Sequence, residues 1–490
     1  MHLPGLAIFG LLAGRQTFNF EGSRSSLASQ VAALPNTTVL DTKLVLAGTT
    51  LTFPEVDPSC GANTQLVSVD ICRISLNVET SMSSRIRMEA WLPRDWTGRF
   101  LSTGNGGLGG CIQYNDMAYT TSLGFATVGA NNGHDGMSGT PFLNAPEVVA
   151  DFAYRSIHTN VIVGKQITEF FYSSPHTKSY YLGCSTGGVQ GLKSVQGFPE
   201  DFDGVVAGAT AADFNALIAW SGHFYGITGP RCDALDGVQD SVIEDPKLCA
   251  YDPSELLCTG GNTSGCLTEA QVETVRKVFE PFTDSQGNLI YPRAVPGGES
   301  FGVTMYGGSP FFSVNWFRYV VYDPSFDPTT LILADFEYGI ALNPSDIATF
   351  QSRNGKLLTY HGQADGFITP GISERYYEHV SSTMNLSSSS LDSFYRFFRI
   401  SGMGHCAGGD GAWQIGQGAG GSLDPDANVL MAMVKWVEEG VAPDMILITK
   451  FINDTASAGV AFSRNHCRFP LRNTYDGTGD GTQPESWSCQ

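Results

Sequence analysis

The sequence predicts an α/β protein, a parallel sheet interrupted by one large insertion. Three observations carry that prediction. Short apolar runs alternate with stretches of helical spacing from about residue 100 to residue 210. The alternation stops between 211 and 345, then resumes at 356–360 and 394–400. A Gly183-Cys184-Ser185-Thr186-Gly187 turn stands between a strand and a helix, and it fits the G-x-S-x-G nucleophile elbow. Strand, helix, strand in that order calls for parallel neighbours joined by right-handed crossovers.

Taken in order, residues 3–14 form an apolar run of signal-peptide length, too short to span a bilayer. No Lys or Arg precedes it and no clear A-x-A site follows, so residues 1–20 read as an irregular signal peptide or a misassigned start. Residues 85–92 (RIRMEAWL) alternate polar and apolar side chains and stop at Pro93, as a half-buried strand would. Residues 100–110 (FLSTGNGGLGG) are a strand end running into a glycine-rich loop. Residues 125–130 are a further strand before the turn-rich NNGHDG, and 151–172 carry the most convincing long helix. A strand at 179–183 leads into the elbow, a helix follows at 187–196, and a buried strand at 203–209.

The stretch 211–345 holds four cysteines, an acidic loop and paired aromatics such as Phe311-Phe312 and Trp316-Phe317, without βα units. Sheet-like order returns with 356–360 before HGQADG, and with 394–400 before SGMGHC. The tail after Phe469 reads as coil tied down by cysteines. The expected division is therefore a core of 21–210 and 346–490 carrying an inserted domain of 211–345.

A net charge of −20, from 48 acidic against 28 basic residues, repels phosphate backbones and anionic membranes. Nucleic-acid and membrane partners are thus excluded, and the dispersed acids serve solubility. Eleven cysteines and four N-x-S/T sequons (Asn36, Asn262, Asn385 and Asn453) point to an oxidising, secretory route, hence a secreted, extracellular glycoprotein.

A serine hydroxyl needs a base to take its proton, and the base needs a third group to hold its tautomer. In α/β hydrolases these arrive in the order Ser, acid, His. Ser185 and His405 fit the first and last places. Their neighbours Cys184 and Cys406 mirror each other, so a Ser185–His405 contact would bring the two sulfurs within disulfide reach. Asp365 is the best acid, because YHGQADG places it on the loop beyond an apolar strand. Asp335, Asp346 and Asp392 are less well placed, in the insertion or ahead of a strand. His361 reads as packing at the strand end, and His134 as structural. For the oxyanion, the backbone N–H of Thr186 is the expected first donor, with Gly106 or Gly107 from GNGGLGG as the second. Proximity in sequence pairs Cys232 with Cys249, Cys258 with Cys266, and Cys467 with Cys489.

With these residues assembled, the chain resembles the tannase/feruloyl esterase family. The likeness runs through PNTTV, RIRMEAWLP, GNGGLGG, GCSTGG, CDALDGVQD, HGQADGFITP and GHC. It implies an α/β-hydrolase core with a large inserted lid domain, with Ser185 as nucleophile, Asp365 as acid and His405 as base. It also implies the Cys184–Cys406 disulfide and a Cys60–Cys111 bridge. Relatives would pair Cys72 with a cysteine near the mature N-terminus. None precedes Cys60 here, so Cys72 is left over and the first ~20 residues depart from the family pattern.

Three carboxylates crowd one glycine-containing loop at 232–242, as Ca²⁺ requires, although the spacing is not that of an EF-hand. From residues alone this is an exposed acidic turn. The resemblance implies instead calcium held by Asp233, Asp236 and Asp240 with the carbonyls of Val238 and Val242. It further implies phenolic-acid esters as substrates: feruloyl or coumaroyl groups on plant cell-wall polysaccharide, with galloyl esters of tannins as the alternative. A non-catalytic, calcium-stabilised polysaccharide-binding protein on the same fold is the rival from another class.

Overall fold

The computed structural model describes residues 19–61, 63–221, 242–249, 252–260, 266–298, 311–327 and 347–490. Among them, nine strands form one sheet: β1 Thr37–Val45, β2 Ile71–Glu79, β3 Arg85–Pro93, β4 Arg99–Thr103, β5 Ala126–Ala130, β6 Lys178–Cys184, β7 Gly204–Gly208, β8 Lys356–Gly362 and β9 Tyr395–Ile400. Their order across the sheet is β1-β2-β3-β5-β4-β6-β7-β8-β9. The pairings β1–β2, β2–β3 and β3–β5 are antiparallel, and every later pairing is parallel. The sheet is therefore mixed rather than parallel throughout, a correction to the sequence reading. Among the described residues, neither the link from β1 to β2, which carries a small ribbon of Thr49–Thr52 with Thr64–Val67, nor the short turn from β2 to β3 contains a crossover α-helix.

The described helices of eight or more residues are α1 Phe20–Ala32, α2 Tyr114–Ser122, α3 Ser156–Tyr172, α4 Thr186–Gly197, α5 Phe214–Ser221, α6 Glu269–Val278, α7 Gly371–Met384 and α8 Val429–Glu439. One face of the sheet buries Leu27 of α1, Val161 and Phe171 of α3, Leu192 of α4 and Tyr376 of α7. The other buries Tyr119 of α2 with Met433 and Trp436 of α8. Period-two alternation in the strands produces the split, since Val205 and Ala207 face one layer and Val206 the other. α3 begins five residues later than the periodicity suggests, because 151–155 is a wider π turn preceding it.

None of the described residues between 211 and 345 joins the large sheet. They hold α5, α6, a two-stranded ribbon of Phe282–Thr283 with Leu289–Tyr291, and the helical turn Phe311–Trp316. A capping box of Thr268 and Gln271 starts α6. Trp316 packs against Phe152 and Phe214, with ring centroids 6.2 and 5.1 Å apart. The C-terminal tail is not coil throughout: Asn473–Tyr475 pairs with Trp487–Cys489 as a small ribbon closed by the Cys467–Cys489 disulfide. Among the described residues, no helix is long and apolar enough to cross a membrane.

Candidate active site

Ser185 stands between β6 and α4 with φ 64° and ψ −122°, a conformation that non-glycine residues avoid. The surroundings impose it. The Ser185 N–H donates to the Gly208 carbonyl at 3.0 Å, and its own carbonyl accepts from Val189 at 3.1 Å and Ala211 at 3.2 Å. Close approach of the glycine-rich loop explains the glycines here. A Cβ on Gly104 would sit 2.7 Å from the Gly187 Cα, and one on Gly187 would sit 2.9 Å from the Asn105 carbonyl oxygen.

The glycine loop is fixed rather than flexible. The Gly187 N–H donates to the Asn105 carbonyl at 2.7 Å, and the Thr186 hydroxyl donates to the Gly107 carbonyl at 2.7 Å. Asn105 spans the loop, donating through Nδ2 to the carbonyls of Cys111 and Ala130 at 2.9 and 2.8 Å. His134 serves the same loop, its Nε2 lying 2.8 Å from the Leu108 carbonyl and its ring edge-on to Phe142. Its role is thus structural, as the sequence suggested.

Cys184 and Cys406 form a disulfide with their Cα atoms 6.0 Å apart. The bridge joins positions 222 residues apart and brings the His405 loop to the elbow. His405 Nδ1 lies 2.8 Å from Asp365 Oδ2. Asp365, on the loop after β8, is wholly buried. Its Oδ1 accepts from the N–H groups of Phe367 and Ile368 at 2.8 and 3.0 Å. Burial works against its charge, but the His405 and His361 imidazoles outweigh that and hold the carboxyl well below the usual range.

His361 is the partner that sequence reasoning missed. It does pack at the end of β8, yet its Nε2 lies 3.1 Å from Asp365 Oδ2 and 2.9 Å from the Ile368 carbonyl. Its Nδ1 lies 2.7 Å from the Ser373 hydroxyl, itself 3.0 Å from that of Thr210. The Ile368 carbonyl can only accept, so Nε2 carries the proton and Nδ1 accepts from Ser373. The spacing His361 to Asp365 was the available signal.

Ser185, His405, Thr186, Gly106 and Gly107 line one cavity of about 590 Å³. Phe214, Leu217, Ile218 and Phe312, from the inserted stretch, form an apolar wall, and Phe367 adds a ring 4.9 Å from that of His405. Asp116 also lines this cavity and went unnoticed in the sequence. Asp392 pairs with Arg468 at 2.5 Å, and Asp335 and Asp346 lie outside the described residues.

Cys60–Cys111, Cys258–Cys266 and Cys467–Cys489 are bridged as expected, with Cα separations of 5.6, 4.9 and 5.7 Å. Cys249 is disulfide-bonded, while Cys232 lies outside the described residues. Cys72 is buried and unbridged, and burial pushes its thiol up to about 12. Of the calcium set, Asp233, Asp236, Val238 and Asp240 lie outside the described residues. Val242 lies within them, buried against Gly402. The segment 1–18 and the sequon at Asn262 are also outside, whereas Asn36, Asn385 and Asn453 are exposed.

A strained serine turn at the end of the central parallel strand β6, with an Asp–His pair on the loops after β8 and β9, defines an α/β hydrolase. The family described as tannase and feruloyl esterase matches residues 71–226, 227–322 and 338–490. A probable feruloyl esterase B-2 of Aspergillus terreus is 50% identical, over 99% of this chain and 98% of that one. The crystal structure of feruloyl esterase B from Aspergillus oryzae superposes with a TM-score of 0.92 at 45% identity, covering 96% of this chain and 100% of that one. The tannin acyl hydrolase from Aspergillus niger shares the fold, with a TM-score of 0.71 at 23% identity over 95% of each chain. The chain belongs to the tannase and feruloyl esterase family and is a carboxylic ester hydrolase.

Proposed function

We propose that this protein is a secreted serine esterase that removes hydroxycinnamoyl groups, feruloyl foremost, from plant cell-wall polysaccharide. The reading is carried by one observation: an Asp365–His405 pair held at 2.8 Å on a loop that a disulfide ties to the residue before Ser185. Relatives called feruloyl esterase B support the choice of acyl group. In this mechanism Ser185 Oγ attacks the ester carbonyl as His405 Nε2 takes its proton. Asp365 holds the tautomer and stabilises the imidazolium. The carbonyl oxygen, now negative, accepts from the N–H of Thr186 and of Gly106 or Gly107. Collapse expels the sugar hydroxyl, which takes the proton from His405, and leaves a feruloyl-Ser185 ester. Water, activated by His405, then releases the acid.

Secretion is supported by the four bridges between described cysteines and by the exposed sequons, which would carry glycan. Calcium, held by Asp233, Asp236 and Asp240 with the carbonyls of Val238 and Val242, would brace the inserted domain and take no part in the chemistry. Chelation should then lower Tm, with calcium restoring it.

Methyl ferulate, methyl caffeate and methyl gallate assayed side by side test the substrate class, and cleavage of the gallate alone would make the protein a tannase. Ser185→Ala should lower kcat on the order of 10⁶-fold. Equal polysaccharide binding by wild type and variant, with no esterase activity in either, would favour a binding protein instead.

A further inference from the structure

Asp116 faces the same cavity as Ser185 and His405, and the ester chemistry makes no use of it. It lies in the first turn of α2, where acids commonly do no more than offset the helix dipole. That role needs no cavity. A helix start also favours ionisation, yet burial pushes the Asp116 carboxyl up to about 7. Among the described residues, no donor reaches this carboxylate. The glutamines of the same wall are engaged, Gln417 Nε2 with the Cys406 carbonyl at 3.1 Å and Gln414 Nε2 with that of Ala419 at 3.3 Å. A half-buried carboxylate that faces a cavity without a protein donor is open to a donor on a bound molecule.

Its place in the cavity narrows that use. Leu182 of β6 and Tyr360 of β8 line the cavity with it. The carboxyl is therefore on the floor, against the sheet. The start of α2 is pinned there: the Tyr114 hydroxyl donates to Glu89 Oε1 at 3.1 Å, and Glu89 is paired with Arg73 and bonded by Trp91 Nε1 at 2.9 Å. Phe53 stacks on Tyr114 with centroids 3.7 Å apart. A polysaccharide must stay at the open mouth, so only the acyl half of the ester can reach the floor. A phenolic ring entering this pocket carries one donor that must be met.

We infer that Asp116 is the specificity residue that accepts a hydrogen bond from the ring hydroxyl of the acyl group, favouring hydroxycinnamates over cinnamate itself. The inference rests on the hydroxycinnamoyl reading of function and adds the atom that recognises the ring. Its test compares kcat/KM for methyl p-coumarate and methyl cinnamate in wild type, Asp116→Leu and Asp116→Asn. Asp116→Leu should lower the p-coumarate to cinnamate ratio by about 10- to 100-fold, as for a hydrogen bond to a charged acceptor. Asp116→Asn, which keeps an acceptor oxygen, should restore part of it. Equal loss on both esters would make Asp116 structural, and an unchanged ratio would remove it from the ring pocket. A loss that follows the alcohol, larger for an arabinosyl than a methyl ester of the same acid, would place it on the sugar side. Each result overturns the inference. If the wild type cleaves gallates and no cinnamates, the parent reading fails by itself. The ratio of methyl gallate to methyl benzoate then scores Asp116 in the same way.

Discussion

The two loops joined by Cys184–Cys406 are built in opposite ways. The Ser185 turn is a product of regular structure, with a buried strand before it, a helix after it, and glycines that let the neighbouring loop press against it. The His405 loop has almost none. Between β9 and α8, residues 401–428 contain no α-helix and only one isolated bridge, Gln414 to Thr449. What holds it is a set of single links: Lys450 Nζ to the Gly409 carbonyl at 2.6 Å, Gln417 to the Cys406 carbonyl, the Ala364 N–H to the Met403 carbonyl at 2.9 Å, the Asp365 pair and the sulfur bridge. Ser185 owes its place to the sheet, His405 to separate links from side chains and backbone. Damage to links should therefore fall on the base, and it should appear in kcat before KM.

The strongest challenge to that contrast is Asp365→Asn. It keeps the shape but offers an amide that can hold His405 in the wrong tautomer, and kcat should fall by about 10⁴-fold. The same variant should alter acid stability. The folded Asp365 carboxyl titrates below its unfolded value of about 3.9, so the unfolded chain binds the extra proton between the two. Its contribution is fully present above the unfolded value and lost as pH falls through the folded one. Denaturant melts between pH 5 and pH 3 should lose stability less steeply in Asp365→Asn, and parallel slopes would refute this.

Next in size is Cys184→Ala with Cys406→Ala. In the chain-entropy picture, a closure of 222 residues contributes about 5 kcal/mol. A shift of ~1 Å in the base can cost ~10² in rate. Activity should drop at least that far at temperatures where circular dichroism still reports a folded protein. Wild-type turnover in the double variant would mean that the hydrogen bonds alone suffice.

His361→Phe is a gentler probe of the same arm. It removes one of the two imidazoles on Asp365 Oδ2 and leaves the Ser373 hydroxyl without its acceptor. As His361 is a positioning residue, kcat should fall about 10-fold, roughly one hydrogen bond's worth, with KM little changed. His361→Gln should recover part of it. A fall in Tm alone, with kcat intact, would show that His361 only packs.

What the sequence made legible follows the same division. Ser185 and its strand–helix setting were readable because regular structure leaves a periodic trace, and Asp365 because it follows one. His405 was readable only through Cys406, a chemical tag matching Cys184. The antiparallel strands β1 and β2 went unread, although Ile74, Leu76 and Val78 alternate with Ser75 and Asn77 as a strand requires. His361 left only its four-residue spacing from Asp365, and Asp116 left nothing that set it apart. A histidine at a strand end is usually packing, and an acid in a first helical turn usually serves the dipole. Only the folded chain gives either a further meaning, His361 beside Asp365 and Asp116 in the cavity with Ser185.

The smallest expected effect on activity comes from the same sulfur chemistry placed elsewhere. Cys467–Cys489 closes 22 residues around the C-terminal ribbon, and neither cysteine lines the cavity with Ser185. By the same chain-entropy relation it contributes about 3 kcal/mol. Cys467→Ala with Cys489→Ala should therefore lower Tm while kcat and KM for methyl ferulate stay within about twofold of wild type. If that variant loses turnover as heavily as the Cys184 and Cys406 pair, the bridges act through global stability. Fixing the base loop would then no longer be a special office of the sulfur beside Ser185.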